Sequence, residues 1–226
     1  MVSEDFTVHV VDDDDTVRER VRLTLANAGY RVCTYATGEA FIEDNEPEPG
    51  CVVLDMMLPG MDGVEVRQTL RERVLPIKVI VATSFADVPL VRDAFRDGVI
   101  DVLEKPCDEG VLVETVRHAF ETLERECARR ERTETAMGYI ARLTSRQLEV
   151  FELLVQGLIS KQIALRLGCS VRTVEAHRGE IMRRLEASSI VELIKLSHDA
   201  IGAGHEAFGG HPGSEQLAAR VIERTY

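Results

Sequence analysis

A chain of 226 residues is long for one domain and comfortable for two, and a hydrophobic share of 45 % can build real cores, so wholesale disorder is excluded. No run approaches the roughly 18 apolar residues of a membrane span, and the acidic MVSEDF start lacks a secretory h-region, so neither a membrane partner nor export is expected. The net charge of −12 argues against a nucleic-acid partner only until the chain is divided: residues 1–124 carry 12 Lys and Arg against 26 Asp and Glu, while residues 125–197 carry 13 against 9, which suggests two domains with different partners.

In chain order, short β-rich apolar runs alternate with amphipathic stretches as far as residue 124. Thr7–Val11, Arg31–Tyr35, Cys51–Leu54, Lys78–Ala82 and Val99–Leu103 predict five strands. Thr16–Ala28, Gly38–Asn45, Gly63–Arg73 and Val88–Asp97 predict helices, with a fifth starting near Asp108; Gly29 and Gly98 stand where helix stops belong. Five βα repeats imply an α/β, doubly wound, five-stranded parallel sheet with helices on both faces, whose functional residues gather at the carboxyl ends of the strands. Residues 123–140 are charged, lack a strand pattern and predict a helical linker that extends the fifth helix. Residues 141–200 predict an all-α domain punctuated at Gly157, Gly168 and Ser188–Ser189, and residues 201–226 form a Gly-rich tail. Cys33, Cys51, Cys107, Cys127 and Cys169 are odd in number with no CxxC spacing, and read as reduced structural thiols of a cytosolic protein.

The first half concentrates carboxylates at two predicted strand ends, VVDDDD at Val10–Asp15 and VVLDMMLPGMDG at Val52–Gly63. The predicted topology makes these strands neighbours, so Asp12 and Asp13 face Asp55. Such carboxylates stay ionised together only around a cation, and a hard oxygen site of this kind suits Mg²⁺. A carboxylate beside Mg²⁺ can attack a phosphoryl group and form an aspartyl-phosphate. Thr83 and Lys105 end the fourth and fifth strands, a hydroxyl donor and a compact cation suited to phosphoryl oxygens. A phosphatase of haloacid-dehalogenase type does not fit, because Asp55 is followed by Met56 and Met57 and not by a second acid two residues on.

VVDDDD, LDMMLPGMDG, VATS and the Lys105–Pro106 pair together resemble the receiver domain of two-component regulators, over about residues 6–122. The resemblance implies a flavodoxin-like receiver at 1–122 in which Asp55 accepts phosphate from a sensor histidine kinase. It also implies that Asp13, Asp55 and the Met57 carbonyl bind Mg²⁺, that Asp12 acts mainly through water, and that Thr83 and Lys105 contact the phosphoryl group. The Lys105–Pro106 peptide is then cis. Receivers commonly carry Tyr or Phe three residues before the lysine; this chain has Val102, which puts the usual aromatic switch in doubt.

The second half reads as consecutive short helices. Thr144 and Gln147 fit a capping box ahead of the stripe Leu148, Phe151, Leu154 and Val155. Ser160 can cap a second helix, Lys161–Leu167, with Ile163, Ala164 and Leu167 inward; Gly168 supplies a tight turn. Ser170 can cap a third that runs to about Leu185, with Val174, Ile181 and Leu185 inward. Two helices around a Gly turn, the second basic, follow helix-turn-helix grammar. Periodicity alone leaves two readings of Arg172, Arg178, Arg183 and Arg184: contacts to phosphates or guanine edges, or a solvated face with salt bridges to Glu175, Glu180 and Glu186.

LTSRQLEV, QGLISKQIA and VRTVEAHRGEIMRRL resemble the LuxR-type DNA-binding domain, and VRTVEAHR is especially similar to the FixJ/NarL class. The resemblance implies a scaffold helix at Lys161–Leu167 and a reading helix at Arg172–Leu185. Arg172, Thr173, Glu175, Ala176, Arg178 and Gly179 then face double-stranded promoter DNA and Lys161 touches its backbone, while His177 packs or meets a phosphate. A final helix, roughly Ile190–Ala200, presents Val191, Leu193 and Ile194 in a pattern that suits a homodimer formed on phosphorylation or DNA binding; covering the domain's own core is the other role. The whole implies no enzyme but a cytoplasmic, phosphorylation-dependent transcriptional regulator that meets the transcription machinery. The alternative, suggested by Val102, is a receiver-bearing DNA-binding regulator that acts independently of phosphorylation.

Overall fold

The structure, a computed structural model, describes residues 6–44, 48–84 and 98–201. The chain divides into two compact units, Met1–Arg125 and Glu126–Tyr226. In the first, β1 (Thr7–Val11), β2 (Arg31–Tyr35), β3 (Gly50–Asp55), β4 (Ile77–Thr83) and β5 (Asp101–Glu104) form one parallel sheet in the order β2-β1-β3-β4-β5. The helices α1 (Asp15–Asn27), α2 (Gly38–Glu43), α3 (Gly63–Glu72) and the start of α4 (Glu109–Ile140) cover it. The helix expected at Val88–Asp97 lies outside the described residues. The last strand enters later than the apolar run suggests: Ile100 N–H already donates to the Val79 carbonyl at 2.8 Å, but the ladder begins with Asp101 opposite Ile80.

The sheet has apolar residues on both faces, as a parallel sheet covered on both sides must. Val8, Val10, Cys51, Val53, Ile80 and Leu103 pack with Val21 and Leu25 of α1 and with Leu112, Val116 and Phe120 of α4. Val11, Val52 and Leu54 pack on the opposite side against Phe41 of α2 and Val66 and Leu70 of α3. Because every pairing is parallel, the carboxyl ends of all strands lie at one edge, where β1 and β3 are side by side.

The second unit holds α5 (Ser145–Val155), α6 (Ser160–Leu167), α7 (Val171–Arg184) and α8 (Ile190–Ile201) around Phe151, Ile163, Val174, Ile181 and Leu193. Residues 123–140 are helical throughout as part of α4, and Ala136 and Ile140 are buried in this second core. Thr144 and Gln147 form the expected capping box, Ser170 caps α7, and Gly168 takes φ +63 between α6 and α7, the left-handed conformation glycine adopts without steric cost. Ser160 departs from expectation. It is the first residue of α6, and the Gln162 side chain satisfies the Ile159 N–H at 3.0 Å instead. The final helix is split by face: Leu193 is core, whereas Val191 and Ile194 are exposed. No helix among the described residues is long and apolar enough to cross a membrane.

Candidate functional sites: an acidic crevice and a basic helix

The run of four aspartates after β1 divides its labour. Asp14 caps α1 by accepting from the Thr16 and Val17 N–H groups, which hold its carboxyl below the usual range. Asp15 pairs with Arg18 on the helix. Asp12 and Asp13 are left for the crevice, where one carboxylate oxygen of each lies with one of Asp55 within 4.8 Å, Asp12 and Asp55 buried and Asp13 exposed. Adjacent pairing of β1 and β3 is what makes this meeting of residues distant in sequence possible.

Lys105 closes the cluster. Its Nζ donates to Asp12 Oδ2 at 2.5 Å and Asp55 Oδ2 at 2.7 Å. Burial pushes the ammonium down, but its hydrogen bonds to the two carboxylates outweigh that and raise it overall. Asp12 is raised in turn, mainly by burial and against the pull of Lys105. Thr83 ends β4 and is buried; its carbonyl accepts from the Lys105 N–H at 2.9 Å, which joins the two strand ends. The Lys105–Pro106 peptide is cis, as the resemblance implied. Met57 is exposed, and its N–H donates to Asp55 Oδ1 at 3.0 Å. An all-oxygen set with one exposed member matches the donors a hard divalent cation takes while keeping water ligands, and Lys105 adds a positive charge against the same carboxylates. Val102 lies half-buried against Met56, Val81 and Val99, an aliphatic packing at the usual aromatic position.

Two supporting residues escape sequence reasoning. Arg18 donates to the Asp12 carbonyl at 2.5 Å and so ties the loop that carries the acids to α1. Glu39, in the first turn of α2, accepts from the Met61 N–H at 2.7 Å and clamps the loop after Asp55. Gly60 sits under that clamp with φ +79, and a Cβ there would come within 2.3 Å of Glu39 Oε1. Arg18 stands three residues after Asp15, a visible helical pair; nothing local signals the Glu39 contact.

On α7 the structure separates residues that sequence grouped together. Arg172, Thr173, Glu175, Ala176 and Gly179 are exposed, as is Lys161 on α6, whereas Arg178, Arg184 and His177 are half-buried. Arg183 and Arg184 both pair with Glu180, at 2.6 and 3.0 Å, and their hydrogen bonds hold its carboxyl at about 2. Arg184 also donates to the Arg142 carbonyl at 2.8 Å, and Glu186 pairs with Arg142 rather than with α7. Arg183 and Arg184 thus make one of the salt bridges that the solvated-face reading expects, the one to Glu180. Among the described residues Arg172 and Arg178 have no ion pair, and Glu175 accepts from Ser160 Oγ. The Thr173 hydroxyl shares a 2.8 Å bond with the capping Ser170.

Residues 8–117 match the family described as the response regulator receiver domain, and residues 141–197 match the bacterial regulatory proteins of the luxR family. The chain is 38 % identical over 196 residues to the transcriptional regulatory protein FixJ of Azorhizobium caulinodans, covering 86 % of this chain and 92 % of the relative. It is 34 % identical over 195 residues to the C4-dicarboxylate transport transcriptional regulatory protein DctR of Rhodobacter capsulatus, covering 85 % and 99 %. Among solved structures, the response regulator StyR is similar at a TM-score of 0.73 and 35 % identity, covering 85 % of this chain and 98 % of that one. Full-length FixJ from B. japonicum is similar at 0.55 and 31 %, covering 86 % and 97 %.

Proposed function

Since the chain belongs to the two-component response regulators that join a receiver domain to a LuxR-type DNA-binding domain, and is thus a transcriptional regulator of that type, we propose that phosphorylation of Asp55 by a sensor histidine kinase controls promoter binding through α7. The receiver is assigned to residues 1–122, the linker to 123–140 and the DNA-binding domain to 141–200; the tail beyond Ile201 lies outside the described residues. The observation that carries this reading is the Asp12–Lys105–Asp55 triad, a buried nucleophile held beside a lysine at the edge of the sheet.

Asp13, Asp55 and the Met57 carbonyl would hold Mg²⁺, with Asp12 beside them. A bound cation would neutralise the charge that builds on the phosphoryl oxygens during transfer. Asp55 attacks the phosphorus with one carboxylate oxygen as the bond from phosphorus to the kinase's histidine nitrogen breaks, and that nitrogen keeps the electron pair. Lys105 then exchanges its carboxylate partners for a phosphoryl oxygen, and the Thr83 hydroxyl donates to another. Nothing here turns over repeatedly as an enzyme would. The phosphoryl group acts as a ligand that favours one conformation, and a near-complete switch takes about 5.5 kcal/mol of preference. The exposed Val191 and Ile194 suit a dimer contact, and the output is a DNA-bound regulator that meets the transcription machinery in the cytoplasm. Val102 favours a second reading, a regulator that binds DNA irrespective of phosphate, because an aliphatic side chain stands where an aromatic ring would couple the crevice to the surface.

Incubation of wild type and Asp55→Asn with a small phosphodonor and Mg²⁺ tests the assignment. Wild type acquires one phosphate labile to alkali and hydroxylamine and the variant none, while circular dichroism shows both folded. Equal phosphate on the variant excludes Asp55. Phosphorylation that leaves wild-type DNA affinity unchanged selects the phosphate-independent reading.

A further inference from the structure

Arg172, Glu175 and Arg178 stand three residues apart along α7, close enough for the carboxylate to pair with either arginine. Glu180 does so with Arg183 one turn further on. Glu175 does not: its Oε1 accepts from Ser160 Oγ on α6, fifteen positions away, and both neighbouring guanidinium groups are without an ion pair among the described residues. The neighbouring helix therefore draws off the acid of α7 that stands at pairing distance from both.

We infer that Ser160 is a positioning residue for sequence reading, which fixes the Glu175 carboxylate to accept from the amino group of a cytosine and keeps Arg172 and Arg178 available to phosphates. The inference rests on the DNA-binding reading above. A carboxylate only accepts hydrogen bonds, and in the major groove the cytosine N4 amino group is the partner that Glu and Asp take. With Oε1 engaged by Ser160, the other carboxylate oxygen is left for a single donor, and the hydroxyl narrows the rotamers of a long, flexible side chain. Without that hydroxyl, Glu175 swings back along its own helix to Arg172 or Arg178, and the loss is double: cytosine preference falls, and a phosphate-binding charge is quenched.

That double loss is the signature to measure. The full chain, treated with a small phosphodonor and Mg²⁺, selects from a random-sequence duplex pool, and binding to the enriched duplex is then followed against salt. Wild type prefers cytosine at one position by roughly tenfold. Glu175→Ala loses that preference and keeps the salt slope, because the arginines are still open. Ser160→Ala loses the preference and lowers the slope by up to about one. Ser160→Thr, which keeps the hydroxyl, retains both, and the Ser160→Ala, Glu175→Ala double variant regains the slope without the preference. If Ser160 only staples two helices, its alanine variant weakens binding to all sequences alike with preference intact, and the inference is overturned. A wild-type pool without any enriched motif overturns the DNA-binding reading and the inference together.

Discussion

In the acidic crevice Lys105 lies between Asp12 and Asp55 with its side chain 11 % exposed and theirs 5 % and 9 %, whereas on α7 Arg183 shares Glu180 with its own side chain 71 % exposed. Both are one-against-several arrangements of charge, yet solvent gives them different physics. Burial strips water from all three groups of the crevice, so each depends on the others and removal of one leaves a charge uncompensated. On α7 water and salt screen every pair, and each contributes little to stability. A site that must register one phosphoryl group benefits from the first arrangement, where a single new charge reorders every partner. A surface that meets a polyanion benefits from the second, where an exposed pair can be exchanged for a new partner at little cost.

The strongest way to break the comparison is Lys105→Met. If the crevice is interdependent, the variant loses about 3–5 kcal/mol of stability in the presence of a chelator, because two buried carboxylates are left facing each other. Mg²⁺ then restores more stability to the variant than to wild type, since a cation now does the work of the ammonium. Urea denaturation with and without Mg²⁺ measures both quantities. A variant as stable as wild type in chelator would mean that water already screens the crevice, and the contrast with α7 would disappear.

The parts of this organisation that were legible in sequence are those carried by period or by position relative to a strand end. Alternation of Val8 and Val10 against Val11, and of Val53 against Val52 and Leu54, fixes the two faces of the sheet, and with them the edge where Asp12, Asp13, Asp55 and Lys105 meet. Contacts between residues far apart in sequence left no such trace. Nothing near Glu39 announces the Met61 N–H, and Ser160 reads as a cap because its chemistry suits one, although Gln162 serves the Ile159 N–H and frees Ser160 for Glu175. The stretch before residue 141 is a different case. Its charges suggested a linker, yet Ala136, Met137 and Ile140 follow helical spacing and pack on the second core, and Thr133 Oγ1 donates to the Asp199 carbonyl at 2.8 Å.

That stripe gives an effect of intermediate size. A fragment beginning at Glu126 keeps Thr133, Ala136 and Ile140, and one beginning at Ala141 loses them all. Burial of one large aliphatic side chain contributes about 1.5–3 kcal/mol, and a buried hydrogen bond about 1 more. The shorter fragment is therefore expected to be less stable by about 2–4 kcal/mol in urea titrations. Equal stability would show that the end of α4 is dispensable to this core, and that Ala141 is the better boundary.

The smallest effects belong to α7, where independence rather than size is tested. Arg172→Ala and Arg178→Ala each remove a cation that has no ion pair among the described residues, so each lowers the slope of log affinity against log salt by about one and weakens binding to unrelated duplexes. Arg183→Ala removes a cation that Glu180 already neutralises, so its slope changes by less. Acidification cannot expose this masked charge: with the Glu180 carboxyl held at about 2, well below the ordinary 4.5, the cluster stays ionised until pH falls through that lower value. Glu180→Gln is the direct route. It keeps the shape and a hydrogen-bonding group but removes the negative charge, and so frees Arg183 and Arg184 for phosphate. The expected result is a salt slope steeper by up to about one, with tighter binding to all duplexes alike. Fluorescence anisotropy across a salt series measures all four variants. If Arg183→Ala flattens the slope as much as Arg172→Ala does, Glu180 releases its arginines when DNA arrives, and the helix presents four cations instead of two.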